Sequence, residues 1–247
     1  MPAPGLSIIV PTLNEAKALP QTLASIAAME PPALETIVAD AGSTDQTVSL
    51  AREAGVRVLT NLRRGRAAQM NAGAAAATGD RLCFLHADTP APKDLSRTIQ
   101  TTLENRQTAC AGFVSIMRGP DRTRWVTSAH NYIKSYYAPA LFRPVSFVRG
   151  VRLLFGDQAI FCRSQDFHAI GGFDPEQTIM EEADFLLRMV RARRGRVRQI
   201  HRLIYSSDRR VAAWGSIGAN IKYLEIGILW GIGIAPDSLA KRYKDVR

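Results

Sequence analysis

Hydrophobic residues in the first part of the chain keep two rhythms. Short unbroken apolar runs occupy residues 6–10, 36–39, 56–59 and 82–85. Runs of Val, Ile and Leu without alternation suit strands covered on both faces, as in a parallel sheet. Segments with helical spacing separate them, at residues 19–28, 46–54 and 66–77. Pro20 falls where a first-turn proline is tolerated. Asp45 reads as an N-cap, and Gly55 and Gly79 read as helix stops. Strand and helix alternating at this spacing predict an α/β fold: a Rossmann-like, mainly parallel central sheet with helices on both faces.

Beyond residue 89 the pattern is less regular. Residues 90–105 predict a helix with Asp94 in its first turn, and residues 108–117 and 159–162 predict strands. Residues 124–137 mix aromatic and polar positions; His130, Tyr132, Tyr136 and Tyr137 there suit helical packing better than the lining of a cleft. Residues 181–193 predict a helix that Gly195 ends, with Phe185, Leu186, Met189 and Val190 as its apolar stripe. Glu182 is spaced to share the inward face with that stripe. Glu181, Asp184, Arg188 and Arg191 are expected on a polar face, paired along the helix. The tail, residues 212–236, is strongly apolar. Its charge-free core, 226–235, is far short of the roughly 18 apolar residues a spanning helix needs. It is expected to pack on the domain or on a second subunit, or to rest on a membrane interface beside basic clusters.

Polar residues gather where the runs end. The first run breaks into Pro11-Thr12-Leu13-Asn14-Glu15, the second into Asp40-Ala41-Gly42-Ser43-Thr44-Asp45, and the fourth into His86-Ala87-Asp88. In open α/β sheets ligands bind at the carboxyl ends of strands. A carboxylate there, Asp88, is a plausible ligand for a divalent cation on a diphosphate, and His86 stands beside it. Gly65 and Arg66 precede a helix N-terminus, where backbone donors and a guanidinium can meet phosphate. Asp80 reads as a turn residue.

Taken in order, S-I-I-V-P-T-L-N-E, V-A-D-A-G-S-T-D, M-N-A-G-A-A-A-A-T-G-D and F-L-H-A-D-T resemble the family 2 glycosyltransferases, whose fold is called GT-A. Gly171-Gly172-Phe173-Asp174 and Met180-Glu181-Glu182 extend the likeness to about residue 194. The H-A-D-T form and Gly156-Asp157-Gln158 are more similar to a bacterial subgroup named for genomic association with radical-SAM and selenodomain proteins; that name says nothing of substrate. The resemblance implies one GT-A domain over residues 1–247. Residues 1–89 would form a nucleotide-binding half, 90–205 an acceptor half, and 206–247 a C-terminal helical segment. It implies an inverting transfer of sugar from a nucleotide-sugar, UDP-linked, to an acceptor hydroxyl, with Mg²⁺ or Mn²⁺ as cofactor.

The same resemblance distributes roles. Asp40 would accept the base N–H, and Pro11, Thr12 and Glu15 would frame the nucleotide. Many relatives place Arg where this chain has Met70, so the cationic diphosphate role moves to Arg63 or Arg66. Asp88 keeps the metal position, with His86 and Ala87 beside the donor sugar. Glu182 takes the place of the base, as Glu where the family usually has Asp. Two other readings stand against this one. A nucleotidyltransferase of similar architecture would carry a Gly-rich loop and a Lys where this chain has P-T-L-N-E. A non-catalytic nucleotide-sugar-binding protein would bind without turnover.

Composition adds a charge argument. The 247 residues carry a net charge of +10, mostly as arginine, which reads either as solvated helix faces or as a surface for an anionic partner. A phosphate-bearing substrate and an anionic membrane surface both qualify. Nucleic acid does not, because the basic stretches lack interleaved aromatics and any recognisable nucleic-acid motif. Cys83, Cys110 and Cys162 lie in apolar runs and read as small buried hydrophobes, without metal or disulfide roles. Residues 1–5 lack the pattern of a signal peptide, giving the expectation of a cytoplasmic protein, peripheral at most to the membrane.

Overall fold

The computed structural model describes residues 3–241. Four parallel strands form one half of the sheet: β1 (Ala3–Thr12), β2 (Glu35–Asp40), β3 (Arg57–Leu59) and β4 (Gly79–Phe84). Helices α1 (Leu19–Ala27), α2 (Thr47–Glu53) and α3 (Arg66–Ala76) connect them. The second half follows α4 (Leu95–Glu104). It comprises β5 (Thr108–Arg118), α5 (Trp125–Phe142), α6 (Pro144–Val148), β6 (Ile160–Arg163), α7 (Ser164–Ala169), α8 (Glu181–Arg191) and β7 (Arg196–Ser207). The chain ends in α9 (Arg209–Trp214), α10 (Ser216–Gly231) and α11 (Pro236–Ala240). The sheet has seven strands in the order β3-β2-β1-β4-β6-β5-β7, with β6 antiparallel to both neighbours and β5 parallel to β7.

The unbroken apolar runs are explained by burial on both faces. Along β1, Leu6, Ile8 and Val10 pack into one core layer while Ile9 packs into the other. Along β4, Leu82 and Phe84 point to one layer and Cys83 to the other. All three cysteines are free and buried.

Several local expectations shift. Helix α3 ends at Ala76, and Gly79 opens β4 instead of stopping the helix. A side chain at Gly79 would strike the Gly5 carbonyl and Ser7, so close strand approach is what needs the glycine. Asp80 is a strand residue; it accepts the Gly5 amide and pairs with Arg81. The N-cap of α2 is Gln46, one residue after Asp45, whose carboxylate still accepts the Thr47 amide at 3.0 Å. Helix α4 starts at Leu95, five residues later than the pattern suggested. Strand β7 lies in a stretch that reads as a charge cluster; Arg196 and Arg198 point outward while Val197, Gln199, Ile204 and Ser206 are buried. The apolar tail becomes α10, whose Ile226 is buried and whose Trp230 packs against the core.

Candidate active site

The carboxyl ends of β1 and β4, the N-terminus of α3, the start of α8 and the end of β7 open on one cavity of about 560 Å³. Pro11, Thr12, Glu15, Arg63, Arg66, His86, Ala87, Asp88 and Glu182, all marked from sequence, line it.

Asp40 does not reach it. Its carboxylate is 1% exposed and accepts four hydrogen bonds: from Thr12 Oγ1, Ser43 Oγ and the backbone amides of Gly42 and Ser43. Four is about the acceptor capacity of a carboxylate, so Asp40 shapes the turn after β2. The first and second strand-end loops are tied together beyond it. Asn14 Oδ1 accepts the Thr44 amide, and Asp45 accepts the Ala16 amide. Gln69 of α3 donates to the carbonyls of Thr12 and Ala39, both at 2.7 Å, which locks the helix against both strand ends. Asn71 pairs both ways with the backbone of Phe173, so α3 also holds the Gly171–Asp174 turn. Met70 is buried core, 1% exposed.

The N-terminus of α3 has no side-chain cap, and Gly65 and Arg66 line the cavity beside it. Unsatisfied amides at a helix start favour an anion. Arg66 reaches across to Glu181 at 2.8 Å, whereas Arg63 is exposed and paired with the exposed Glu176. Of the two arginines, Arg66 is the one built into the wall.

One site residue was missed from sequence. Arg209, just past β7, makes a two-pronged pair with Glu15 at 2.9 and 3.0 Å and touches Asp88 Oδ2 at 2.8 Å. A single guanidinium thus gathers the two carboxylates at the ends of β1 and β4. Only recognition of β7 as a strand would have placed Arg209 at a strand end.

At the far wall, His86 and Glu182 meet over Gly156. A Cβ on Gly156 would overlap the His86 ring and lie 2.8 Å from Glu182 Oε1. His86 Nε2 and Glu182 Oε1 are both buried without a hydrogen-bond partner. Such atoms mark a place where a ligand completes the bonding. Burial, then the charge of Glu181, pushes the Glu182 carboxyl up to about 7. Burial and the Arg66 charge pull His86 down to about 4, so its ring is neutral near neutral pH. Asp184 is on the polar face and pairs with Arg188 at 2.7 Å, as expected. Glu181 is not on that face: it is 2% exposed and bound to Arg66.

The remaining wall, from α5, α10 and the segment before β6, is largely apolar, with Phe142, Leu153, Phe155, Tyr223, Ile226 and Trp230. Asn131 and Lys134 face the cavity from α5, while His130 and Tyr137 bond each other at 3.0 Å and the Tyr132 and Tyr136 rings pack at a tilt, in keeping with packing roles. Lys134 lies 3.8 Å from the centre of the Phe155 ring, and burial brings its ammonium down to about 8 against the Asp157 charge. Burial raises Asp157, which accepts a hydrogen bond from Asn131 at 2.9 Å.

Donor chemistry at the wall suits a hard cation shared with a ligand. Asp88 supplies a carboxylate, and among the described residues no group of three or more His, Cys, Asp and Glu could hold an ion alone. Mg²⁺-type sites use one or two carboxylates together with substrate phosphates and water, so the residues fit such an ion, and they do not fit a self-contained zinc site.

A strand-end cavity of this kind on a sheet of this order lies where open α/β proteins bind their ligands. The chain belongs to glycosyl transferase family 2, whose sequence profile matches residues 7–164. A PGL/p-HBAD biosynthesis glycosyltransferase of Mycobacterium tuberculosis is 42% identical over 94 residues, 36% of this chain and 37% of that one. The chain thus spans little more than a third of the length of the curated relatives it matches. Among solved structures, glucosyl-3-phosphoglycerate synthase from Mycobacterium tuberculosis, in complex with Mn²⁺, UDP and glucosyl-3-phosphoglycerate, is similar. The TM-score is 0.64 at 20% identity, covering 94% of this chain and 81% of that one. S. aureus TarS in complex with UDP-GlcNAc gives 0.60 at 18% identity, covering 82% and 58%. These likenesses show that the fold is of the GT-A type.

Proposed function

We propose that the chain is an inverting glycosyltransferase using a UDP-sugar and a divalent cation, Mg²⁺ or Mn²⁺. The observation that carries the reading is the convergence in one cavity of Asp88, Arg66, an uncapped helix start and a buried Glu182 with a free oxygen. Asp88 would hold the cation, whose charge would offset that of the leaving diphosphate. Arg66 and the first amides of α3 would bind the same diphosphate, and Arg209 would turn from Glu15 and Asp88 toward it. Donors fixed before the reaction stabilise developing charge without reorganising. Pro11, Thr12 and Glu15 would frame the nucleoside, over a loop that Asp40 keeps in shape. His86, neutral and unpartnered, would hydrogen-bond the sugar beside Ala87.

Glu182 would take the proton of the acceptor hydroxyl. The acceptor oxygen bonds to C1 of the sugar, the C1–O bond to the diphosphate breaks, and the electron pair leaves with UDP. Glu181 is held by Arg66 and Asp157 by Asn131, so Glu182 is the carboxylate available for one displacement, which inverts C1. A carboxyl near pH 7 is well placed for general-base work. Glu182→Gln should lower UDP release from a UDP-sugar panel, assayed with membrane extract as acceptor source, by about a hundredfold or more. Binding of UDP should stay near wild type. Unchanged release in that variant, or an equal loss in Asp184→Asn, contradicts the assignment.

A further inference from the structure

Helices α5 and α10 pack together and give their inner sides to the cavity's apolar arm. Their outer sides are not polar. On α10, Ile217, Ile221, Leu224 and Ile228 recur at four, three and four residues, which is one face of a helix. Ile217 is 79% exposed and all four are exposed. Val126, Ile133 and Leu141 are exposed on α5, and Val145 and Val148 on α6. Single exposed hydrophobes are ordinary, but a stripe in register along a helix marks a contact surface.

Charge decides what covers it. Residues 118–152 and 209–235 hold ten Lys and Arg against two acidic residues, Asp121 and Glu225; Lys134, Arg209 and Arg210 line the cavity, which leaves seven cations outside it. A symmetric pair through this face would bring the same basic lobe against itself. An anionic bilayer complements it. All three tryptophans of the chain, Trp125, Trp214 and Trp230, lie in this lobe, and indole favours the boundary between apolar and wet regions. Among the described residues no helix is long and apolar enough to cross a membrane, so the lobe would lie in the interface.

We propose that this lobe rests on an anionic membrane surface and that the sugar acceptor is an amphiphile drawn from it. The acceptor's apolar body occupies the arm walled by Phe142, Phe155, Tyr223 and Trp230. Its hydroxyl reaches Glu182, which receives the proton as the glycosidic bond forms and UDP leaves. The proposal rests on the glycosyltransferase reading of the cavity.

Vesicles of phosphatidylcholine with and without phosphatidylglycerol test the surface. The protein should sediment with the anionic vesicles about tenfold more tightly than with the neutral ones, and salt should release it. Brominated acyl chains should quench its tryptophan fluorescence. The exposed triple variant Ile217→Gln, Ile221→Gln, Ile228→Gln should lose anionic binding about tenfold, by loss of buried apolar area, with an unchanged thermal melt. For the arm, 1-dodecanol should shift Trp230 fluorescence saturably in a Trp125→Phe, Trp214→Phe protein. Absence of anionic binding at low salt, binding without quenching, or a dodecanol shift that never saturates overturns the proposal. So does a dimer, seen by sedimentation velocity, that the triple variant abolishes. Titration of UDP with MnCl₂ on the same proteins separates the two failures: intact UDP binding without vesicle binding overturns the membrane proposal alone.

Discussion

In the proposed reading Glu182 would carry the chemistry, because the chain buries it and leaves one oxygen without a partner. Its carboxyl stands at about 7, against an ordinary 4.5, first through burial and then through Glu181. A base must be ionised to act, so kcat/KM for transfer should rise with pH through about 7 and level above it. A pH–rate profile that is flat between pH 6 and 8 would contradict this placing of the group. The same shift sets a stability slope. Between about 4.5 and 7 the folded chain holds a proton that the unfolded chain has released. The stability contribution of this group therefore falls as pH rises across that window. Urea unfolding at several pH values should show that fall reduced in Glu182→Gln.

At the scale of elements, the short helical turn Gly156–Gln158 sets the distance between His86 and Glu182. Only a residue without a side chain lets the two groups close over it. Gly156→Ala should cost about 1–3 kcal/mol, as overpacking of a filled site does, and the loss should appear in urea denaturation. A midpoint equal to wild type would show that the turn yields freely.

How far these elements could be read from sequence depended on how they are buried. Strands β1, β2 and β4 are covered on both faces and announced themselves as apolar runs, and their polar ends located most of the cavity wall. The apolar stripe of α8 likewise turns Glu182 inward and Asp184 outward by helical spacing alone. Among the described residues strand β7 pairs with β5 alone, and two of its four buried positions are the polar Gln199 and Ser206. It therefore gave neither a run nor a clean alternation, and Arg209 was hidden with it. Glu181 was misplaced for a related reason. Helical spacing put it with Asp184, but α8 begins at Glu181 against the Arg66 wall, and its partner comes from another helix. Asp40 reads as a ligand by likeness, while its carboxylate accepts from its own loop and from Thr12.

Across the whole molecule, the ends of the parallel strands supply much of the polar wall, while α5, α10 and the segment before β6 supply the apolar one. Glu182 of α8 stands in the wall with Asp88, which a β4 end delivers, and with Arg209, which a β7 end delivers. The arrangement suits a donor anchored by phosphate on one side and an acceptor entering from the other. Its central claim is that Asp88 holds a cation on a uridine diphosphate. Calorimetric titration of UDP into the wild-type chain and Asp88→Asn, each with and without MnCl₂, tests that claim most directly. The account predicts that Mn²⁺ strengthens UDP binding to the wild type by about tenfold or more, at least 1.4 kcal/mol, and that Asp88→Asn loses this gain. No UDP binding to the wild type, or a Mn²⁺ gain that survives in Asp88→Asn, would contradict it.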